Sequence, residues 1–307
     1  MDKLPKVMRE IETDRVRKFI KPYVVRDASK FRLKDYDPAD THHLNSEDKP
    51  KAKKILQQGV QSLSKLQDIL YAQSEWGLLL IFQAMDAAGK DGTIKHVMSG
   101  VNPQGVDVYS FKAPSAEDLS HDYLWRSMRC LPGRGKIGIF NRSYYEETLV
   151  VRVHPELLDK QRIPDQFRGD HFWRHRFEDI NALERYLTRN GIAVRKFFLY
   201  LSRKEQKKRF LERLTNPEKN WKFSAADAKE RRCWDAYQDA YEKTIRNTAS
   251  EHAPWIVVPA DNKWFSRLLV VACVVDALQE MNLKYPTVSD EKLAELKEAR
   301  RQLEKEK

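Results

Sequence analysis

The chain has 307 residues, 41% of them apolar, which is enough for one large α/β domain with a packed core and argues against global disorder. Its 56 Lys and Arg against 45 Asp and Glu give a net charge of +11. That excess favours a polyanionic partner (nucleic acid, an anionic lipid surface or a phosphate polymer) without choosing among them. No apolar run approaches the length of about 18 residues needed to span a bilayer. The first twenty residues are charged and lack the apolar centre of a signal peptide. Cys130, Cys233 and Cys273 are scattered with no CxxC spacing, so each reads as a small apolar filler in a reducing compartment. The expectation is a cytoplasmic protein without a membrane partner.

In chain order, residues 1–50 mix Lys, Arg, Asp and Pro with little periodicity and read as an extended arm. A helix is predicted over Lys51–Ala72, where Ile55, Leu56, Val60, Leu63, Leu66 and Leu70 recur at helical spacing. Gly77–Phe82 is a short continuous apolar run, the pattern of a parallel strand covered on both faces. Ile137–Phe140, Ala193–Leu201 and Trp255–Val258 look alike, and Val106–Phe111 alternates as a further strand. Amphipathic stretches at Ser120–Leu131, Asp165–Arg189 and Leu268–Asn282 supply crossover helices, so the fold class is α/β with a parallel sheet wrapped by helices. Residues 203–248 form a long polar helical stretch broken at Asn216-Pro217, read as a helical lid within one large unit over 51–285. Residues 286–307 read as a solvated, charged terminal helix with a thin stripe of Leu293, Leu296 and Leu303, with an oligomer contact as the alternative.

The chemistry concentrates after the first apolar strand, at Ala84-Met-Asp86-Ala-Ala-Gly89-Lys90-Asp91-Gly92-Thr93. A strand, a glycine-containing turn with lysine, and a helix make a phosphate cradle, because backbone N–H groups and the helix N-terminus attract anionic oxygens. Asp86 inside such a loop repels phosphate unless a cation lies between them, which points to Mg²⁺, with Mn²⁺ as the alternative. The strand 137–140 runs into Asn141-Arg142-Ser-Tyr-Tyr-Glu146. Asn141 stands where a P-loop protein usually has a metal-binding acid. Arg142 suits bidentate phosphate contact, and Glu146 returns a carboxylate to the site.

Asp86–Lys95, Val101–Gly105, Phe140–Glu146, Asn220–Ser224 with Trp234 and Tyr237, and Ala253–Asp261 resemble the polyphosphate kinase 2 family, in order over about residues 50–285. The resemblance implies a thymidylate-kinase-like P-loop fold, a three-layer sandwich with a helical lid, Mg²⁺ dependence, polyphosphate as donor, and a homo-oligomer. It places the Walker A lysine and aspartate at Lys90 and Asp86 and the Walker B arginine at Arg142. It extends the phosphate- and nucleotide-binding set to Ala87, Ala88, Gly89, Asp91, Gly92, Thr93, Lys95 and Asn141. Asn141 with Glu146 resembles the branch called class III, which phosphorylates AMP and ADP, giving ADP and ATP. Asp86, then Glu146, are the expected metal ligands.

Arg203–Arg213 carries six basic residues against two acidic ones, a density that repels itself unless an anion is near. Arg209, Arg213 and Lys222 are the expected phosphate contacts. Other features carry less. His171 and His175 lack an evident third metal ligand, and His154 reads as a turn residue, with orientation of Arg142 as the alternative. Trp221, Trp234 and Tyr237 either stack a base or pack within the lid. Two competing readings are an ATP-dependent kinase on the same fold, disfavoured by more basic charge than one triphosphate needs, and a nucleic-acid-binding module, for which no recognition motif is present.

Overall fold

A computed structural model describes residues 13–306. Six strands form one sheet: β1 (Val24–Val25), β2 (Gly77–Gln83), β3 (Val106–Ser110), β4 (Ile137–Asn141), β5 (Ile192–Tyr200) and β6 (Trp255–Pro259), in the order β1-β6-β5-β2-β4-β3. The longer helices are α1 (Thr13–Ile20), α2 (Lys49–Gln73), α3 (Lys90–Val97), α4 (Phe172–Arg189), α5 (Arg203–Thr215), α6 (Trp234–Thr248), α7 (Lys263–Glu280) and α8 (Asp290–Lys305). Successive side chains of β2 point to opposite faces: Leu78, Leu80 and Phe82 join one apolar cluster with α2, α3 and α7. Leu79 and Ile81 join the other, with α4 and α6. Burial on both faces is why the strand reads as an unbroken apolar run.

The five strands read from the sequence are present and mutually parallel where they pair. The arm differs from its expectation. Its described part forms α1 and then β1, which pairs antiparallel with β6 (Val24↔Ile256, Val25↔Trp255), so the sheet is mixed rather than wholly parallel. Ile20, Tyr23 and Val25 are buried there. Two paired residues are too few to leave a period in the sequence. Residues 1–12 of the arm lie outside the described residues.

The expected Ser120–Leu131 helix is two short pieces, Ala116–Ser120 and Trp125–Met128. A capping box at Ser115 starts the first early, and His121 is extended at its end. The amide of Leu124 then bonds Asp122 Oδ1 at 2.9 Å before the second piece begins. The break at Asn216-Pro217 is as expected: α5 stops at Thr215, and Asn216 is extended, as a residue before proline favours. α8 buries none of its residues.

β2 is the point at which the chain order turns, with β4 on one side and β5 on the other. In open α/β sheets the crevice at the carboxyl ends of the strands around such a point is where ligands bind.

Candidate active site

β2 ends at Gln83, and the chain loops through Ala84–Gly89 into α3. Gly89 has φ +100°, a left-handed position that a Cβ would strain. Ala87 holds φ 65° without that excuse, and so does Arg142. Left-handed non-glycine residues cost about 1–3 kcal/mol and cluster at functional sites. Lys90 folds back so that Nζ donates to the Ala84 carbonyl at 3.0 Å. Burial pushes the Lys90 ammonium down to about 8, the nearby Arg142 adds to that push, and Asp86, Glu146 and Asp91 oppose it.

Register sets Phe82 beside Asn141, so the end of β4 meets the phosphate loop. The Arg142 amide donates to the Phe82 carbonyl at 3.0 Å. Its guanidinium spans the two expected metal ligands: Nη2 donates to Asp86 Oδ1 and Nη1 to Glu146 Oε2, each at 3.0 Å. Glu146 is the main reason that Arg142 is held still more firmly cationic than usual. The other Glu146 oxygen accepts from the buried Gln83 amide at 2.8 Å, with that amide oriented by its bonding to Ser143. Asn141 donates to Asp91 Oδ1 at 2.7 Å and so fixes the first turn of α3 rather than reaching the acids. Asp86, Lys90, Arg142 and Glu146 are therefore one cluster, and their spacing in the sequence is closed by the β2–β4 pairing.

A cleft of about 600 Å³ runs over the loop, lined by Asp86 through Thr93, by Asn141, and by eight cationic side chains against three acids. The cations are Lys90, Lys112, Arg142, Arg209, Arg213, Lys219, Lys263 and Arg267. Arg213 lines it with its guanidinium 5.6 Å from the Phe210 ring centre. Lys95 is exposed on the outer side of α3 and does not line the cleft. The side chain of Lys222 lies outside the described residues. Lys112, Lys263 and Arg267 were not singled out in the sequence. The signal for the last two was a pair of cations four apart at the start of a helix that follows a strand, facing the carboxyl end of the sheet.

Arg209 differs most from its expectation. It is 5% exposed, and every one of its five N–H groups has a protein acceptor. Nε donates to Glu205; Nη1 to the carbonyls of Ala87 and Ala88; Nη2 to those of Ala260 and Asp261. No donor remains for phosphate, and the side chain instead ties the phosphate loop to the end of β6.

A second cavity of about 1000 Å³ adjoins the first and shares Lys112 and Arg142 with it. Tyr123, Phe167, Phe172 and Ile163 give it apolar walls, and Arg176 lies 4.2 Å from the Tyr123 ring centre. Trp234 and Tyr237, open between stacking and packing in the sequence, are buried within the protein. Trp221 is 78% exposed beside the cationic cleft. His171 and His175 lie 6.1 Å apart by ring centres and join no three-donor group among the described residues. His154 bonds Glu230 at 3.0 Å and Glu156 at 3.3 Å, not Arg142.

Residues 45–286 match the family model described as Polyphosphate kinase 2 (PPK2). The chain belongs to the polyphosphate kinase 2 family. It is 53% identical over 250 residues to a Rhodopseudomonas palustris protein named ADP-polyphosphate phosphotransferase, covering 81% of this chain and 86% of that one. It is 44% identical over 267 residues to the AMP/ADP-polyphosphate phosphotransferase of Meiothermus ruber, covering 87% and 96%. The crystal structure of polyphosphate kinase 2 from Arthrobacter aurescens superposes with a TM-score of 0.80 at 38% identity, over 89% of this chain and 95% of the other. The P-loop kinase fold read from the sequence is thereby shown, and no described helix is long and apolar enough to cross a membrane.

Proposed function

We propose that this polyphosphate kinase 2 moves the terminal phosphoryl group of inorganic polyphosphate onto AMP and ADP, giving ADP and ATP. The observation that carries the reading is a pair of cavities meeting at Arg142, one with eight cations against three acids. A polyphosphate carries about one charge per phosphate and needs such a track, while one triphosphate does not. The second cavity, with aromatic walls, suits the nucleotide. The names of the relatives support the same chemistry, one for ADP and one for AMP and ADP. Acceptance of AMP as well as ADP, the class III behaviour, is supported by the sequence pairing of Asn141 with Glu146 five residues later, the pattern that resembles that branch.

Asp86 and Glu146 already share one cation, the Arg142 guanidinium, so this oxygen pair fits a hard divalent ion, Mg²⁺ or Mn²⁺. Such an ion, when bound, neutralises phosphate oxygens and the charge that develops during transfer. The chain's own groups do the positioning. Lys90 and the amides at the start of α3 hold the donor's terminal phosphate, and Arg142, at the mouth of both cavities, aligns donor and acceptor. An oxygen of the nucleotide's terminal phosphate attacks the donor phosphorus, the P–O–P bond breaks, and the shortened polyphosphate leaves. Because that oxygen is mostly ionised at neutral pH (phosphate second pKa about 6), no general base is needed. We assign residues 203–248 as the lid that closes over this track, and Arg209 as a positioning residue for the phosphate loop.

Arg209→Lys separates positioning from contact, since lysine keeps the charge but cannot fork to four carbonyls. Each buried carbonyl left without a donor costs about 1–3 kcal/mol. We expect a lower Tm and a turnover reduced about ten- to a hundredfold, with the KM for polyphosphate changed much less. Full turnover in the lysine variant would return Arg209 to the role of a simple phosphate contact.

The function is tested by incubating the chain with polyphosphate, AMP and Mg²⁺ and resolving nucleotides by chromatography, with a metal-free control. ADP followed by ATP is expected. ATP formed only from supplied ADP would remove the AMP assignment. No product from either nucleotide, with transfer from ATP to another acceptor, would overturn polyphosphate as donor.

A further inference from the structure

We propose that His154, Glu230 and Cys233 form a binding site for a zinc-like divalent cation that staples the lid to the body of the enzyme. Each offers one ligand atom, and these atoms lie within 4.8 Å of one another. In a tetrahedral zinc site, with bonds of about 2.0–2.3 Å, ligand atoms sit roughly 3.3–3.8 Å apart, so closure asks for shifts on the order of 1 Å or less. Nitrogen, oxygen and sulfur donors together select a borderline-soft ion, and a thiolate discriminates against magnesium. This separates the group from the all-oxygen pair Asp86 and Glu146.

The surroundings are those of a ligand set. His154 has its Nδ1 3.3 Å from Glu156, which leaves Nε2 facing Glu230 at 3.0 Å. A carboxylate behind the far ring nitrogen is the usual partner of a metal-bound histidine, fixing its tautomer and orientation. Glu230 Oε2 also accepts from the Tyr237 hydroxyl at 2.8 Å, which holds the carboxylate in place. Carboxylate and thiolate together neutralise a dication. All three ligands are half-buried, so an ion can reach them.

Their places in the chain give the site its consequence. His154 lies just past the Glu146 segment, in the body, whereas Glu230 and Cys233 belong to residues 203–248. Glu230 also lines a small cavity with Asp86, Arg142 and Glu146. A cation joining the two sides holds that stretch against the catalytic acids. The site stands on geometry alone; its effect on turnover rests on the proposed function, because a pinned lid slows an enzyme whose lid must open and close in each turnover.

The metal-free full-length chain is titrated with Co²⁺ alone and followed by absorption. A near-ultraviolet thiolate-to-cobalt charge-transfer band with intense visible tetrahedral bands is expected, saturating at one ion per chain and displaced by Zn²⁺. Cys233→Ser loses the charge-transfer band, Cys130→Ser keeps it, and His154→Gln weakens binding about tenfold or more. Absence of the band, or its survival in Cys233→Ser, overturns the site. In excess Mg²⁺, Zn²⁺ is expected to slow phosphotransfer by the parent and not by Cys233→Ser, each compared with its own zinc-free rate. Equal inhibition of both, or of neither, overturns the staple. A chain without phosphotransferase activity still gives the cobalt spectrum, so failure of the functional reading is visible separately.

Discussion

Lys90→Met is expected to lower turnover about a hundred- to a thousandfold, the loss typical when one preorganised charge-stabilising group is removed from a transition state. The same change is expected to alter the pH dependence of stability, because Lys90 is charged at a cost. Burial, with Arg142 nearby, sets its folded-state pKa at about 8, below the ordinary 10.5. At pH 7 both folded and unfolded chains carry the proton, so the parent bears the full cost of an ammonium taken from water. Between about pH 8 and 10.5 the folded chain has released that proton while the unfolded chain still holds it, so the parent gains stability as pH rises. Methionine has no such term. The difference in Tm, variant minus parent, should therefore be most favourable to the variant at pH 7 and shrink as pH rises through that window. The Ala84 carbonyl loses its donor in the variant, which adds an offset but no pH dependence. A Tm difference flat from pH 7 to 10, measured by calorimetry, would show that Lys90 is not held at a cost.

Locality in the chain decides which parts of the site were legible in the sequence. Lys90 and Asp86 could be found because a phosphate loop is local: a strand, a turn and a helix start within about ten residues. Arg142 and Glu146 could be found because β4 ends in the same crevice, and the β2–β4 pairing brings Phe82 beside Asn141. Arg209 could be placed on a helix but not given its role. Helical spacing says which side chains share a face, and nothing in it reveals that four loop carbonyls converge on that face. Lys263 and Arg267 escaped because they enter the cleft from more than a hundred residues beyond the strand that ends at Asn141. The strand β1 escaped because pairing, rather than periodicity, makes it a strand.

Lys196 is the clearest case of a residue hidden by its context, and its variants carry the second large prediction. It sits inside the apolar run of β5, where it reads only as a tolerated lysine in a strand. In the fold it is fully buried, with Nζ 2.6 Å from Glu184 Oε2, 2.6 Å from the Thr248 carbonyl and 3.1 Å from the Tyr145 hydroxyl. Glu184 Oε1 accepts from Tyr144 and Tyr145 at 2.9 and 2.7 Å. Those tyrosines lie between Arg142 and Glu146, so the buried pair is the floor on which the catalytic loop rests. Desolvation lowers the Lys196 pKa and Glu184 opposes it, while burial and Glu184 hold both tyrosine hydroxyls protonated as donors.

Removing one member of such a pair leaves a buried charge uncompensated, which costs about 3–5 kcal/mol. Lys196→Met should therefore lower the urea midpoint strongly. Turnover should fall with it even under conditions where the chain remains folded, because Glu184 no longer has a fixed place for the tyrosines. The double change Lys196→Met with Glu184→Gln removes both charges and leaves an amide oxygen for the tyrosine hydroxyls. It should be no less stable than Lys196→Met alone, a coupling of about 0.5–3 kcal/mol, and should recover part of the turnover. Additive losses would mean that the two residues act independently and that the loop owes its position to something else. A recovery of stability without turnover would place the tyrosines' contribution in the charge of Glu184 rather than in the geometry of its bonds.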